Sequence, residues 1–136
     1  MAVSKQEMEN FFRDHFPQAE LIIEELGDKA ATIRKNIEFK HLRPGGTVSG
    51  PTMMELADAA LYVTILNEIA LVGLAVTTNL NINFLNKPSA EKDLIAECKL
   101  IKVGKALIIG DVYLYSEGNE QPVAHAVGTY SIPPKR

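Results

Sequence analysis

The hydrophobic pattern at the start of the chain predicts a short helix followed by a β-hairpin. Residues 7–16 place apolar side chains at helical spacing, and Pro17 ends the run because proline cannot continue a helix. Residues 19–26 and 30–39 are predicted to be the arms of the hairpin, joined by the turn at Gly27 and Asp28. In the second arm, apolar and polar residues alternate with the period of a half-buried strand. Its expected buried residues are Ala31, Ile33, Ile37 and Phe39.

One long helix is predicted over residues 51–72. Its apolar side chains cover most of the circumference, so we expect it to be buried on several sides. Pro51 suits the first turn, because the N–H that it lacks would have no partner there. Gly73 marks the expected end of the helix. A loop at residues 41–49, which contains Pro44, Gly45 and Gly46, precedes it.

Four strand-like runs follow the long helix, at residues 75–85, 93–103, 106–115 and 121–132. The breaks between them are short, which indicates antiparallel neighbours. A helix that is apolar around most of its circumference, followed by four antiparallel strands, predicts an α+β fold. In this fold a strongly curved sheet wraps around the helix. The length suits a single domain over residues 1–136, with residues 1–17 as an N-terminal helical segment.

Composition narrows the class of protein. A net charge of −3 and a pI of about 5.6 argue against nucleic acid as a partner. No uncharged apolar run reaches the ~18 residues that span a bilayer, and the N-terminus lacks a signal-peptide core. The single cysteine, Cys98, is expected in the core and fits a reducing compartment, so we expect a cytoplasmic protein that binds no membrane. The histidines lack ligand spacing, so no metal site is expected; they are His15, His41 and His125.

The entrance of the long helix is the candidate site. Gly50 lies where unpaired N–H groups and the positive end of the helix dipole can hold an oxygen that becomes negative during attack on a carbonyl. Asp58, inside the same apolar helix, is a candidate base or nucleophile. The alternative is an ordinary solvated stripe, because Asp58 shares its side of the helix with Glu55 and Tyr62.

The spacing of Gly50 and Asp58 predicts a site built from two subunits. At 1.5 Å per residue, eight positions separate them by about 12 Å along one helix. Attack on a carbonyl requires the reacting groups within about 3 Å. The two residues therefore cannot serve one carbonyl from the same chain. Two antiparallel helices across a two-fold axis would bring each glycine to the other chain's carboxylate, so we expect a homodimer.

These motifs, in this order, resemble a known family. Residues 49–58 read Ser-Gly-Pro-Thr-Met-Met-Glu-Leu-Ala-Asp, and residues 81–88 read Asn-Ile-Asn-Phe-Leu-Asn-Lys-Pro. The combination is similar to the hotdog-fold acyl-CoA thioesterases, in particular the subfamily typified by the phenylacetic-acid-degradation thioesterase, over about residues 21–132. The resemblance implies the hotdog fold and hydrolysis of an acyl-CoA substrate between two protomers. The family often forms tetramers, so a dimer of dimers is expected, with the simple dimer as the alternative. No cofactor is expected.

The resemblance assigns roles to several residues. The Gly50 N–H is expected to donate to the thioester oxygen. Asp58 of the partner subunit is expected to activate water or to attack directly. A small hydroxyl residue on the following strand often helps to hold the water in this family, which points to Thr77 or Thr78.

The chain departs from the family pattern in two places. It reads Ser49-Gly50-Pro51 where the family usually reads His-Gly-Gly, and it lacks the asparagine usually found near Arg43. Ser49 and Arg43 are therefore candidate substrate-binding residues, with His41 as an alternative to Arg43. These departures favour a second hypothesis, a non-catalytic acyl-CoA or lipid-binding protein. A dehydratase of the same fold is disfavoured, because His41 has no aspartate close to it in sequence.

Three lysines cluster around the predicted turn near residue 104: Lys99, Lys102 and Lys105. One interpretation is that they are solvated lysines on strand edges, which discourage aggregation. The other is that they contact the negatively charged phosphates of CoA. Lys102 and Lys105 are accordingly included among the candidate substrate-binding residues.

Overall fold

The computed structural model describes residues 3–71 and 74–134. Helix α1 spans Lys5–His15, strand β1 spans Ile22–Gly27, and strand β2 spans Ala30–Lys35. Two short strands, β3 (Leu42–Arg43) and β4 (Thr47–Val48), precede helix α2 (Gly50–Ile69). The remaining strands are β5 (Val76–Phe84), β6 (Leu94–Val103), β7 (Leu107–Ser116) and β8 (Ala124–Ser131). Single 3₁₀ turns lie at Pro17–Ala19 and Phe39–His41.

Six strands form one antiparallel sheet in the order β1-β2-β6-β7-β8-β5, and this sheet curves around α2. The helix buries residues on several sides, because its apolar side chains surround the axis rather than forming one stripe. This α+β architecture confirms the fold class predicted from the sequence. Among residues 3–71 and 74–134, none of the helices combines the length and the hydropathy that a membrane span requires.

Two glycines let α2 approach the middle of the sheet closely. A Cβ at Gly110 on β7 would lie 2.9 Å from Cδ2 of Leu61 and 3.0 Å from the backbone oxygen of Lys99. A Cβ at Gly128 on β8 would overlap the other methyl group of Leu61. Leu61 is fully buried, so this contact sets the distance between the helix and the two strands.

The start of α2 is close to the prediction, and its end differs. Ser49 is the N-cap residue, and its hydroxyl accepts a hydrogen bond from the Thr52 N–H at 3.3 Å. The helix therefore begins at Gly50, one residue before the predicted start. It ends at Ile69, where Ala70 takes a φ of 76°. The predicted stop at Gly73 lies outside the described residues.

The predicted hairpin forms, but both of its arms are shorter than expected. The first arm starts at Ile22, because Pro17–Ala19 forms a 3₁₀ turn. The prediction was wrong for the second arm beyond Lys35, and Phe39 is 90% exposed rather than buried. The physical reason is a local turn that the side chain of His41 closes, since its Nδ1 accepts the Glu38 N–H at 2.9 Å. The last strand also begins later than predicted, at Ala124.

Helix α1 covers the outer side of α2 and the first strand. It begins at Lys5, earlier than predicted, because Ser4 and Glu7 form a reciprocal capping box. Its buried residues Met8 and Phe12 join the core, and Phe12 packs edge-on against Tyr62 of α2 at a centroid distance of 5.9 Å. This aromatic contact places the end of α1 beside the middle of the long helix.

The close approach of α2 to β7 predicts a large effect of Gly110→Ala. The added methyl group meets a backbone oxygen that cannot move aside, so we expect a loss of about 1–3 kcal/mol in the free energy of unfolding, measured by urea titration. Gly27→Ala is the matched control, because its nearest neighbours would lie 3.8 Å away. The control should change stability by less than about 0.5 kcal/mol. Equal effects of the two substitutions would contradict this account of the packing.

Candidate active site

The carboxylate of Asp58 is held by two hydroxyl groups from the sheet. Thr77 on β5 donates to Oδ1 at 2.7 Å, and Tyr130 on β8 donates to the same oxygen at 2.8 Å. The Tyr130 hydroxyl also lies 3.1 Å from the main-chain oxygen of Asp58. Within the described residues, no hydrogen bond reaches Oδ2. One carboxylate oxygen is therefore fixed, and the other remains available for chemistry.

The register of the sheet brings these two hydroxyl groups together. Thr77 and Tyr130 are directly paired between β5 and β8. A β-bulge between Thr77 and Asn79 interrupts the ladder at Thr78. The Thr78 hydroxyl instead donates to the Thr129 carbonyl at 3.3 Å. Of the two candidate threonines, Thr77 contacts the carboxylate and Thr78 does not.

Tyr130 is a site residue that the sequence analysis missed. Along β8 every second residue faces the helix, and Tyr130 follows three small ones in that row, at positions 124, 126 and 128. This change from small to large was the available signal. Burial raises the pKa of the Tyr130 phenol, and the negative charge of Asp58 raises it further. The hydroxyl therefore stays protonated near neutral pH and can donate to the carboxylate.

A cavity of about 440 Å³ lies beside Asp58. It is bounded by the segment after α1, by one side of α2 and by the start of β5. Its wall combines apolar groups with a few polar ones. The apolar residues of the wall include Phe16, Leu21, Leu56, Ala59, Tyr62 and Val76. The polar group includes Lys35, Glu55, Asp58 and Thr77. Such a mostly apolar cavity with a few placed polar groups is typical of a small-molecule site. Asp58 is half-buried and lines this open cavity, so it is not part of a fully solvated stripe.

The Gly50 amide lies at the start of the first turn of α2. The Thr52 and Met53 amides bond to Ser49, and Pro51 has no N–H, so Gly50 carries the first unpaired amide of the helix. No hydrogen bond from this amide is found within residues 3–71 and 74–134. A Cβ at Gly50 would lie 3.4 Å from the Phe84 ring at the far end of β5. Strand β5 thus runs from Asp58, through Thr77, to the helix tip.

Ser49, His41 and Arg43 take different positions around the helix tip. The Ser49 hydroxyl is engaged in the N-cap and in a 2.8 Å hydrogen bond with the Thr52 hydroxyl. His41 is buried, and burial, followed by the charges of two nearby lysines, lowers the pKa of its imidazole. Arg43 is exposed on the β3–β4 hairpin. Arg43 is thus the one of the three with a solvent-exposed cation.

Lys102 and Lys105 are exposed at the turn between β6 and β7. The ladder Val103–Ile108–Tyr130–Thr77 runs across four strands and places this turn at the same end of the sheet as Asp58. Neither lysine lines the cavity beside Asp58. We refer to these two exposed lysines, Lys102 and Lys105, as the basic rim.

A protein-family model matches the part of the chain that contains most of this site. The family model of the thioesterase superfamily matches residues 45–123, which include Gly50, Asp58 and Thr77. The chain belongs to the thioesterase superfamily. A search of curated proteins found no significant relative.

Several solved structures share the fold of this chain. A candidate thioesterase from Silicibacter sp. TM1040 is 43% identical, with 98% of this chain and 95% of that chain covered and a TM-score of 0.91. The PaaI protein from the E. coli phenylacetic acid degradation operon is 20% identical, with 93% and 91% covered and a TM-score of 0.76. A hypothetical thioesterase protein from Streptococcus pneumoniae TIGR4, solved with coenzyme A, is 19% identical, with 95% and 98% covered and a TM-score of 0.80. These likenesses confirm the hotdog fold that the resemblance implied.

Membership of the thioesterase superfamily indicates thioester hydrolysis as the class of activity. Within the part of the chain that the structure describes, no group of three or more His, Cys, Asp or Glu residues is arranged to hold a metal ion. Cys98 is buried, and burial raises the pKa of its thiol to about 12. A protonated, inaccessible thiol is not a nucleophile. Of the two carboxylates that line the cavity, Asp58 and Glu55, only Asp58 has an oxygen held by hydroxyl groups of the sheet within the described residues.

The hydrogen bond from Tyr130 to Asp58 predicts a stability effect of Tyr130→Phe. Removing the hydroxyl leaves Asp58 with one donor fewer in a partly buried position, so the free energy of unfolding should fall by about 1–2 kcal/mol in a urea titration. Tyr115→Phe is the matched control, because Tyr115 faces outward and its hydroxyl has no hydrogen bond among the described residues. An unchanged stability of Tyr130→Phe would show that the bond contributes nothing in solution.

Proposed function

We propose that this protein hydrolyses acyl-CoA thioesters, with Asp58 as the base or nucleophile and the Gly50 N–H of the partner subunit polarising the carbonyl. One observation carries the proposal: in a chain of the thioesterase superfamily, Asp58 faces a cavity with one oxygen fixed by Thr77 and Tyr130. Fixing one oxygen orients the other toward a bound substrate, which reduces the entropy that the reaction must lose.

The edge strand supports the two-subunit site. Strand β5 lies at the end of the sheet order, bonded to β8 alone, and it exposes apolar side chains. Val76 is 56% exposed and Phe84 50%, and Leu85, the residue after the strand, is 49% exposed. A long edge strand leaves a row of main-chain N–H and C=O groups without partners in the sheet, which favours pairing with another strand. We infer that β5 pairs with β5 of a second copy around a two-fold axis.

Antiparallel pairing of the two edges would complete the catalytic site. The start of β5 contacts Asp58 through Thr77, and its end contacts Gly50 through Phe84. In an antiparallel pair the start of one strand lies beside the end of the other. Asp58 of one chain would then face Gly50 of its partner. This arrangement removes the separation of about 12 Å that prevents the two residues from acting together within one chain.

The chemistry has two routes that the geometry allows equally. In the first, Oδ2 of Asp58 takes a proton from water, and the resulting hydroxide adds to the thioester carbon. The carbonyl oxygen gains negative charge beside the Gly50 amide, the C–S bond breaks, and the CoA thiolate leaves and takes up a proton. In the second, Oδ2 itself adds to the carbon, the thiolate leaves, and water hydrolyses the resulting anhydride.

The CoA portion would lie along the basic rim. CoA carries several phosphate charges, and Lys102 and Lys105 are exposed at the same end of the sheet as Asp58. Arg43, exposed beside the helix tip, offers a further cation near the partner's thioester. Ser49 contributes indirectly, by capping the helix that presents the Gly50 amide. Pairing of two such dimers into a tetramer remains our expectation.

Asp58→Asn tests the proposed role of the carboxylate. The amide keeps an oxygen for the Thr77 and Tyr130 hydroxyl groups, so the fold should persist, but it cannot take a proton or attack. We expect kcat/KM for CoA release, measured with a thiol-trapping reagent, to fall by about 100- to 10,000-fold. Asp28→Asn, on the exposed turn between β1 and β2, is the matched control and should leave activity unchanged.

Two results would contradict the proposed function. Activity of Asp58→Asn close to that of the unaltered protein would remove Asp58 from the mechanism. Tight binding of acyl-CoA without any release of CoA by the unaltered protein would instead identify the non-catalytic acyl-CoA-binding protein that the departures at residues 43 and 49 first suggested.

A further inference from the structure

The cavity beside Asp58 contains a buried lysine that the proposed hydrolysis does not use. Lys35 ends strand β2 at an inward-facing position and is only 3% exposed, yet it lines the cavity. Lysine is rarely buried to this extent, because removing its charge from water is costly unless partners compensate. The partners of Lys35 therefore decide what this end of the cavity can bind.

Lys35 has fewer partners than its charge requires. Its Nζ donates one hydrogen bond, to the backbone oxygen of Ala19 at 3.3 Å. Its ion pair with Oε1 of Glu55 is longer, at 3.6 Å, and the Glu55 side chain is 66% exposed. An ammonium group carries three donors, so within the described residues two remain without a hydrogen-bond acceptor. Glu55 can turn toward solvent without losing a buried position.

The distance between Lys35 and Asp58 along the cavity can be estimated from their positions beside α2. Glu55 and Asp58 are three residues apart on α2, and both line the cavity. Residues at this spacing are neighbours on one helix face, with Cβ atoms about 5–6 Å apart. Lys35, paired with Glu55, thus lies about one helical turn from the reactive carboxylate. The wall between the two ends is apolar, with Leu56 and Ala59 on α2.

We propose that the acyl group of the substrate is short and ends in a carboxylate, which Lys35 binds. The inference rests on the proposed function, since it places the thioester carbon at Asp58. A methyl-ended chain would leave the buried ammonium group facing hydrocarbon. A carboxylate end instead accepts the unused donors in charge-assisted hydrogen bonds. The apolar wall accommodates the methylene groups between the two ends.

The experiment compares matched pairs of substrates. Glutaryl-CoA and adipoyl-CoA end in a carboxylate, while pentanoyl-CoA and hexanoyl-CoA have the same chain lengths and end in a methyl group. The unaltered protein should have the higher kcat/KM for the carboxylate-ended member of at least one pair. Lys35→Met retains the aliphatic volume and removes the charge. It should lower kcat/KM for the carboxylate-ended substrates by about 10- to 100-fold and leave the methyl-ended ones within about 3-fold.

Two further variants sharpen the comparison. Glu55→Gln removes the competing carboxylate, so it should increase the preference for carboxylate-ended substrates. Lys5→Met, at an exposed position of α1 that does not line the cavity, is the matched charge control and should change neither class. Methyl-ended substrates also report on folding, because a damaged cavity would lose activity toward both classes.

The outcomes separate this inference from the proposed function. Hydrolysis of both classes without a preference that depends on Lys35 would overturn the inference and leave the hydrolysis intact. If no substrate releases CoA, titration calorimetry of the Asp58→Asn protein, with and without Lys35→Met, provides the second readout. Tighter binding of glutaryl-CoA or adipoyl-CoA that depends on Lys35 would support the carboxylate site although hydrolysis had failed. Equal binding by the two proteins would reject both proposals.

Discussion

The hydrogen bonds from two strands to one carboxylate oxygen are the interaction on which this site depends. Asp58 can receive them only because α2 lies close to the sheet, which Gly110 and Gly128 permit by leaving room for Leu61. The register of β5 against β8 then places Thr77 and Tyr130 side by side below the helix. The orientation of the Asp58 carboxylate therefore depends on the packing of α2 against the sheet, and a change in that packing would also change the hydrogen bonds to Asp58.

The same strand connects the two halves of the proposed mechanism. Strand β5 contacts Asp58 at its start and Gly50 at its end, and it also forms one edge of the sheet. The separation of the two residues on one helix makes a site within one chain impossible. Pairing of two such edges would bring Asp58 of one chain close to Gly50 of the other. Assembly of the dimer and catalysis would then depend on the same strand.

Much of the fold was predictable from local patterns, and much of the site was not. The apolar circumference of α2 and the period-two strands specify their elements directly, and the spacing of Gly50 and Asp58 follows from helix geometry. Tyr130 lies 72 positions from Asp58, so their contact depends on a register that no local pattern encodes. Lys35 follows the inward alternation of Ala31 and Ile33, but a lysine is normally expected at the surface. The opposite error occurred at Phe39, an apolar residue that was predicted to be buried but is exposed. The strand ends before Phe39, which lies in a 3₁₀ turn.

Mixed dimers test the cross-subunit site most directly. Gly50→Pro removes the amide proton, and the Cβ that it adds would lie in ordinary contact with the Phe84 ring at 3.4 Å. The extended Ser49 before it tolerates a following proline. When Asp58→Asn and Gly50→Pro chains are coexpressed, each mixed dimer should contain one intact site. Random pairing should then restore about a quarter of the unaltered CoA-release activity, although each variant alone is nearly inactive. Activity of the mixture no higher than that of the separate variants would contradict a site shared between two chains.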